Sequence, residues 1–222
     1  MKKIRYVVLA LIIILVAGCG KKVEEKPLNE LGVNKNNMLG NVHDYSYKVS
    51  FDTKVDDKDY TITLECDNDL NTRVSHCMIT NYYYNIEKYV NYGTKIYYYR
   101  NIHPDNTTDW MMMNKYYNTN QNHFLNIVES VETLRKETRE DGFYYTGTIT
   151  PLKMAILLQE VDNRIDTGNI DANITSIPIE VYVNNKGFIE KITSCWHSDE
   201  KVEITFVYNE VGQLEMPQGL SN

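Results

Sequence analysis

The sequence contains none of the short motifs that mark common enzyme active sites. It has no G-x-S-x-G, no H-E-x-x-H, no P-loop and no dinucleotide-binding fingerprint. Its five histidines are scattered, and none lies in a nucleophile or metal motif: His43, His76, His103, His123 and His197. The sequence therefore predicts a protein that is not an enzyme and has no cofactor. A hydrolase whose triad is assembled only in three dimensions is the weakest alternative.

The apolar run near the start of the chain is too short to cross a bilayer. Tyr6–Val16 is almost wholly aliphatic, but a membrane-spanning helix needs ~20 apolar residues. Three basic residues precede this run, and the small pair Ala17-Gly18 follows it. A cationic start, a short apolar core and small residues predict a secretory signal peptide over residues 1–18.

The four residues Val16-Ala17-Gly18-Cys19 resemble the lipobox of bacterial lipoproteins. This resemblance implies that a diacylglycerol group is attached to the Cys19 sulfur and that the chain is cleaved before Cys19. Acyl chains such as palmitate would then anchor the protein at ~0.8 kcal/mol per buried CH₂. We expect a lipid anchor on the extracytoplasmic face of the cell membrane of a Gram-positive bacterium. A plain transmembrane anchor with an incidental cysteine is the alternative.

The chain has fewer basic residues than acidic ones. Removal of residues 1–18 takes away three of the 23 basic residues and none of the 30 acidic ones, which leaves a net charge of about −10. Such a chain is repelled by nucleic acid and by anionic headgroups. Nucleic acid is therefore excluded as an expected partner.

Cysteine is scarce after the lipidation site. Cys66, Cys77 and Cys195 allow at most one internal disulfide. Cys66 and Cys77 lie on successive predicted strands and can bridge, but two buried thiols are an equally good interpretation. No second C-x-x-C or H-x-x-H motif accompanies them, so we expect no metal site.

After Cys19 the chain divides into a tether and one domain. Residues 19–40 are charged and asparagine-rich without a sustained period, which predicts a flexible tether. Residues 41–222 form the domain. In them period-two alternation predicts roughly ten antiparallel strands, in YSYKVSF, DYTITLEC, RVSHCMIT, YYYNIEKYV, KIYYYRN, WMMMNKYY, residues 143–149, IPIEVYV, residues 188–196 and KVEITFVY.

Two apolar helices interrupt the strands. The first is predicted from Asn122, with apolar residues at helical spacing: Phe124, Leu125, Ile127, Val128, Val131 and Leu134. The second opens at Thr150-Pro151, an N-cap followed by proline at the first helical position. Three residues widen the apolar stripe of this helix, so we expect the helix to lie deep against the sheet. The stripe and the widening residues are Met154, Leu157, Leu158, Val161 and Ile165, with Leu152, Ala155 and Ile156.

The order of these elements resembles the LolA/LolB carriers and the LprG/LppX lipoproteins. The resemblance spans Tyr45 to Pro217 and includes the closing hairpin PIEVYVNNKGFIEKI…KVEITFVYNEV. It implies an α+β, mainly β fold: a strongly curved antiparallel sheet, an incomplete barrel, whose concave apolar side is covered by helices. It implies no individual functional residue.

From the inward stripes we predict a groove that holds a lipid or another amphiphile. Methionines and tyrosines suit a cavity for variable acyl chains, although both also serve as ordinary core residues. The predicted lining residues are Tyr47, Val49, Ile62, Leu64, Tyr97, Tyr99, Met111, Met113, Leu157 and Val161. The alternative is a solidly packed module that docks a protein or cell-wall polymer through exposed tyrosines, such as those of Tyr82–Tyr84 and Tyr97–Tyr99.

Overall fold

The computed structural model describes residues 24–26, 42–55, 58–82, 84–103, 105, 107–113, 128, 131, 134–161, 174–197 and 200–216. Twelve strands and one helix lie in these residues. The strands are β1 (Glu24–Lys26), β2 (Asp44–Val55), β3 (Lys58–Asp69), β4 (Val74–Thr80), β5 (Asn85–Asn91), β6 (Ile96–Ile102), β7 (Met111–Met113), β8 (Leu134–Arg139), β9 (Gly142–Ile149), β10 (Ile177–Asn184), β11 (Ile189–His197) and β12 (Glu200–Tyr208). The helix, α1 (Pro151–Val161), lies between β9 and β10 in the chain.

All twelve strands belong to one open sheet in the order β1-β8-β9-β10-β11-β12-β2-β3-β4-β5-β6-β7. Every neighbouring pair is antiparallel. The order consists of two meanders, β2–β7 and β8–β12, joined where β12 pairs with β2. The predicted mainly β, antiparallel fold is confirmed.

The ten strands predicted from the sequence correspond to β2–β7 and β9–β12. The two additional strands have polar sequences, EEK in β1 and LRKETR in β8. β8 is held by backbone pairing with β9 across a tight turn, and β1, within the predicted tether, pairs with β8. Backbone pairing leaves no period-two signal when neither face of a strand is apolar, so these strands could not be predicted.

The predicted helix at Thr150 is confirmed. The backbone N–H of Lys153 donates to Thr150 Oγ1 at 3.4 Å, and the N–H of Met154 donates to the Thr150 carbonyl at 3.1 Å. Thr150 thus caps α1, with Pro151 as its first residue. Most of the helix predicted from Asn122 lies outside the described residues. The assignment of Leu134 to that helix was wrong, because Leu134 opens strand β8.

Strand ends differ from prediction in two places. The gap between the strands predicted in YSYKVSF and DYTITLEC is shorter in the structure, because β2 continues to Val55 and β3 begins at Lys58. The first tyrosine run is largely outside strands: Tyr82 and Tyr84 precede β5. The NNKG segment of the closing hairpin forms the turn between β10 and β11, with Gly187 at φ +87°.

The hydrophobic core lies on one side of the sheet. It gathers alternate residues of the central strands with residues of α1 and with Val128 and Val131. Three tyrosines belong to it, namely Tyr45, Tyr47 and Tyr145. Burial raises the pKa of Tyr145 to about 12, so this phenol stays neutral at physiological pH. In the part of the chain that the structure describes, no helix has the length and hydropathy needed to cross a membrane.

Candidate functional site

One face of the sheet, here called the inner face, carries rows of apolar side chains that cross the strands. The register places Ile204, Val49, Leu64 and Ile79 opposite one another on β12, β2, β3 and β4. Opposed residues of antiparallel strands project to the same face. All four are at most 5% exposed. The inner face is therefore the side on which the core lies.

Helix α1 covers part of the inner face. Met154, Leu157 and Leu158 are buried in the core cluster. Leu152 and Ile156 are 71% and 52% exposed, so their assignment to the buried side of this helix was wrong. Residues at helical spacing from Met154 face the sheet, whereas positions two residues away lie on the opposite side. The helix has one packed side and one apolar exposed side.

The eight strand residues predicted to line the ligand site share the inner face. Val49 lies opposite Leu64, Tyr97 opposite Met113, and Tyr99 opposite Met111. Leu157 packs in the core below α1. The side chains of Met113 and Val161 lie outside the described residues. The inner-face residues, in chain order, are Tyr47, Val49, Ile62, Leu64, Tyr97, Tyr99, Met111 and Met113.

These residues fall into two groups with different burial. Tyr47, Val49, Ile62 and Leu64 belong to the closed core, together with Leu157. We call this region of the inner face, on strands β2–β4 and β9–β12, the sealed side. The open side comprises the partly exposed inner-face residues of β5, β6 and β7: Ile86, Lys88, Tyr97, Tyr99, Asn101 and Met111.

A single transverse row shows the transition between the two sides. It runs from Tyr47 through Cys66 and Cys77 to Lys88, Tyr99 and Met111. Tyr47, Cys66 and Cys77 are at most 5% exposed, whereas Met111 is 38% exposed. The inner face thus continues from the core past Lys88 toward the β7 edge, where it becomes accessible.

The open side has an amphipathic lining. The rings of Tyr97 and Tyr99 lie with their centroids 5.6 Å apart. Burial, and then the neighbouring Tyr99, raises the pKa of Tyr97, so its hydroxyl is a neutral donor at physiological pH. Rings and thioethers offer apolar surface, and the hydroxyls offer hydrogen bonds. This combination suits an amphiphile.

A disulfide lies where the sealed side meets the open side. Cys66 and Cys77 are opposed on β3 and β4, are both buried, and form a disulfide with a Cα–Cα distance of 4.1 Å. The sequence left bridged and reduced states equally open, because pairing of the two strands in this register could not be inferred from spacing. Cys195 lies exposed on β11, outside this disulfide.

The opposite face, here called the outer face, carries a polar cluster on β4–β6. The buried Glu87 carboxylate lies 2.9 Å from His76 Nε2 and accepts a hydrogen bond from Arg100 Nε at 2.7 Å. The Arg100 guanidinium lies over the Trp110 ring at 4.6 Å, and Tyr89 stacks on His76 at 4.3 Å. These contacts link strands β4, β5 and β6. The polar side-chain atoms of the cluster bind one another.

A cavity of about 640 Å³ opens beside the β10–β11 turn. It is lined by residues of β10, β11 and β12 and of their ends, including Tyr182, Phe188, Phe206 and Tyr208. None of the ten predicted lining residues borders it. Its walls come from three strands and a turn, and no single stretch of sequence carries a signal for it.

Metal ligands do not converge in the described part of the chain. There, no three His, Cys, Asp or Glu side chains are grouped so that they could hold a metal ion.

Comparison with known proteins gives structural neighbours only. No protein-family model matches the sequence, and no curated protein matches it. Among solved structures, the chain is similar to the lipoprotein LppX of Mycobacterium tuberculosis, with a TM-score of 0.42 and 15% identity, over 85% of this chain and 97% of that one. It is also similar to a LolA superfamily protein of Nitrosomonas europaea, with a TM-score of 0.26 and 12% identity, over 75% and 85% of the two chains.

Proposed function

We propose that the protein is an extracytoplasmic lipoprotein, anchored through acylated Cys19, that binds a lipid or another amphiphile on the inner face. The ligand lies against the open side of the inner face, beside the part that α1 covers, and the sheet curves around it as an incomplete barrel. Binding is reversible burial of apolar ligand surface, worth ~25 cal/mol per Å².

The observation that carries this proposal is the continuity of the inner face. Its rows pass from the core to the open side, with Lys88 and Asn101 as polar members, and Tyr97, Tyr99 and Met111 stay partly exposed there. Twelve strands at ~4.8 Å spacing span roughly 50 Å, whereas the 11 residues of α1 extend only ~16 Å. This helix therefore spans only a fraction of the sheet, and an apolar chain suits the accessible open side.

Two neighbouring methionines provide a matched test of the site. Met111 and Met112 are 38% and 45% exposed, but the register places them on the inner and the outer face. We expect Met111→Glu to reduce uptake of a fluorescent fatty acid about tenfold or more, because a carboxylate would then lie in the apolar lining. Met112→Glu should bind like the wild type.

Native mass spectrometry of the freshly extracted protein provides the direct test. A co-purifying lipid, lost from Met111→Glu and retained by Met112→Glu, would support the proposal. Repeated absence of any bound lipid, together with no uptake of fluorescent fatty acid by the wild type, would refute it.

The location outside the cytoplasm has two supports. One is the arrangement of residues 1–19 in the sequence. The other is the Cys66–Cys77 disulfide, since such bonds persist in oxidising compartments and are rare in the cytosol. Cys19→Ser should abolish labelling by radioactive palmitate and release the protein from the membrane fraction. Unchanged fractionation of this variant would contradict the anchor.

The alternative, docking of a protein or cell-wall polymer through tyrosines, has less support. Among the described tyrosines of the two triplets only Tyr82 is largely exposed, at 50%, while Tyr98 is buried. Tyr82 also packs on Tyr60, with ring centroids 4.2 Å apart. The two triplets therefore do not offer a broad ring platform.

A further inference from the structure

The side of α1 that points away from the sheet is apolar. Leu152 and Ile156 are 71% and 52% exposed, and residues four positions apart on a helix are neighbours on its surface. Residues 151–159 include one lysine and no acidic residue. Neighbouring large apolar side chains that are exposed together mark a contact surface. The outward side of α1 therefore suits a partner of low polarity.

The proposed lipid anchor lies near this helix. Four residues separate Cys19 from Glu24, the first residue of β1. A chain advances at most ~3.6 Å per residue, so Cys19 lies within about 18 Å of Glu24 in any conformation of the chain between them. β1 pairs with β8, β8 pairs with β9, and β9 leads directly into α1. Two strand spacings, about 10 Å, separate β1 from β9, so acyl chains on Cys19 hold this part of the domain close to the leaflet.

The two faces of the sheet differ in charge. Among the described side chains that the register places on the inner face of β2–β10, none is acidic. The outer face of the same strands carries several acidic residues, including Asp52, Glu65, Asp67, Glu87, Glu137 and Glu180. Like charges repel, so the outer face is the unfavourable one to place against anionic headgroups. An anchored domain is therefore expected to turn its outer face away from the membrane.

We propose that the outward side of α1 lies on the leaflet that holds the acyl anchor, with Leu152 and Ile156 inserted among the lipids, and that the acidic outer face points away. This inference rests on the proposed function, since it requires the acylated Cys19, and it adds the orientation of the anchored domain. Amphipathic helices that lie on membranes bury their apolar side ~5–10 Å into the boundary between headgroups and acyl chains. The acyl chains and α1 are two separate contacts, and together they restrict rotation of the domain about its anchor.

A fluorescent label on either face of the molecule reports this orientation. The full-length, acylated protein carries Cys195→Ser, which removes the exposed free thiol, and a bimane label at Leu152→Cys. The matched control carries the label at Val207→Cys, because Val207 is 43% exposed and lies on the outer face. Both proteins are reconstituted in vesicles of phosphatidylcholine and phosphatidylglycerol in equal parts, with and without doxyl-labelled phosphatidylcholine as a quencher.

Contact with lipid predicts quenching at one position only. We expect the doxyl lipid to lower the emission of the label at position 152 about twofold or more, since an inserted helix side lies within the depth of the acyl chains. The label at position 207 should be unaffected. Equal quenching at both positions, or quenching at position 207 alone, would overturn the proposed orientation. Protection of the label at position 152 from aqueous iodide without quenching by doxyl lipid would assign α1 to a protein contact and would also overturn it.

A charge introduced on α1 is the converse test. Ile156→Asp should abolish the quenching of the label at position 152, because a carboxylate is poorly solvated among acyl chains. The acyl anchor should still hold this variant in the membrane fraction. Val207→Asp, on the outer face, should leave the quenching at position 152 unchanged, and thermal unfolding verifies the fold of each variant. Undiminished quenching in Ile156→Asp would contradict insertion of this side of the helix.

The outcomes distinguish this inference from the function on which it rests. If the wild type and Cys19→Ser both fail to associate with the vesicles, the proposed anchor is refuted, and this inference fails with it. If the wild type is anchored but neither label is quenched, the orientation alone is refuted and the anchor stands.

Discussion

The sealed and open sides of the inner face have the same strand alternation but different side chains. Val, Ile and Leu dominate the sealed side, in rows such as Ile204, Val49 and Leu64 that are almost fully buried. The open side carries tyrosine, methionine and lysine, which combine apolar surface with polar or flexible ends. Period-two alternation indicates which face is apolar, whereas the type of apolar residue distinguishes closed packing from an accessible surface.

We expect the greatest loss of stability from truncation of a buried leucine of α1, which tests whether this helix seals the core. Leu158→Ala should lower the free energy of unfolding by about 2–5 kcal/mol, because Leu158 is 1% exposed and its loss leaves a cavity. Leu152→Ala on the same helix should change it by no more than about 0.5 kcal/mol, since Leu152 is 71% exposed. Urea unfolding measures both. Equal effects would show that the sealed side is not closed by this helix.

Removal of the disulfide tests the boundary between the sealed side and the open side. Cys66 and Cys77 are separated by 11 positions, and closing a loop of this size stabilises by ~3 kcal/mol in the chain-entropy model. A Cys66→Ala/Cys77→Ala variant should lose about that much stability in urea unfolding and become insensitive to reductant. Cys195→Ser should match the wild type. Full sensitivity of the double variant to reductant would contradict the assignment.

A substitution of Asp69 tests how the C-terminal segment is held at the end of β3. Its carboxylate accepts hydrogen bonds from the backbone N–H groups of Asn71, Thr72 and Leu214 at 2.9, 3.2 and 3.1 Å. Burial raises the pKa of Asp69, but the hydrogen bonds from Thr72, Leu214 and Asn71 outweigh burial and hold it below its ordinary value. Asp69→Asn should therefore cost about 1–3 kcal/mol near neutral pH.

The pH dependence of this contribution has a definite sign. A lowered folded-state pKa gives stability that is complete above the unfolded value, ~4, and is lost as the pH falls through the folded value. The difference between wild type and Asp69→Asn should therefore narrow in acid. Asp52→Asn, on the outer face, is the control. A difference independent of pH would show that the Asp69 charge contributes nothing.

The smallest effect on stability is expected on the open side. Met111→Ala should change the free energy of unfolding by less than about 1 kcal/mol, because Met111 is 38% exposed. Its affinity for a fluorescent fatty acid should nevertheless fall several-fold, since the side chain lines the proposed site. A large loss of stability without any loss of affinity would place Met111 in a closed core.

Much of the architecture could be predicted because amphipathic strands show a period-two alternation of apolar and polar residues in the sequence. Tyr45, Tyr47, Val49 and Phe51 alternate with polar residues, and all four are buried as that alternation requires. The cap at Thr150 could be predicted because capping depends on residues adjacent in the chain. Strands β1 and β8 could not, since their pairing supplies no apolar period. The exposed positions of Leu152 and Ile156 also required knowledge of what surrounds α1.

For the candidate site, the sequence predicted which residues share one face of the sheet. Spacing placed Met111 and Met113 on the same face, and the register agrees. The role of these residues in binding stays a prediction. The position of Lys88 on the same face depended on the pairing of β4, β5 and β6, which fixes the partner of each residue.

The antiparallel β class, the apolar side of each strand and the start of α1 follow from the sequence, because they depend on residues close in the chain. The pairing of β12 with β2, the contact of Cys66 with Cys77, and the closure of the inner face at one side but not at the other become known only from the folded molecule. Those features depend on contacts between distant segments. Local alternation of side chains carries no information about which distant segment covers a face.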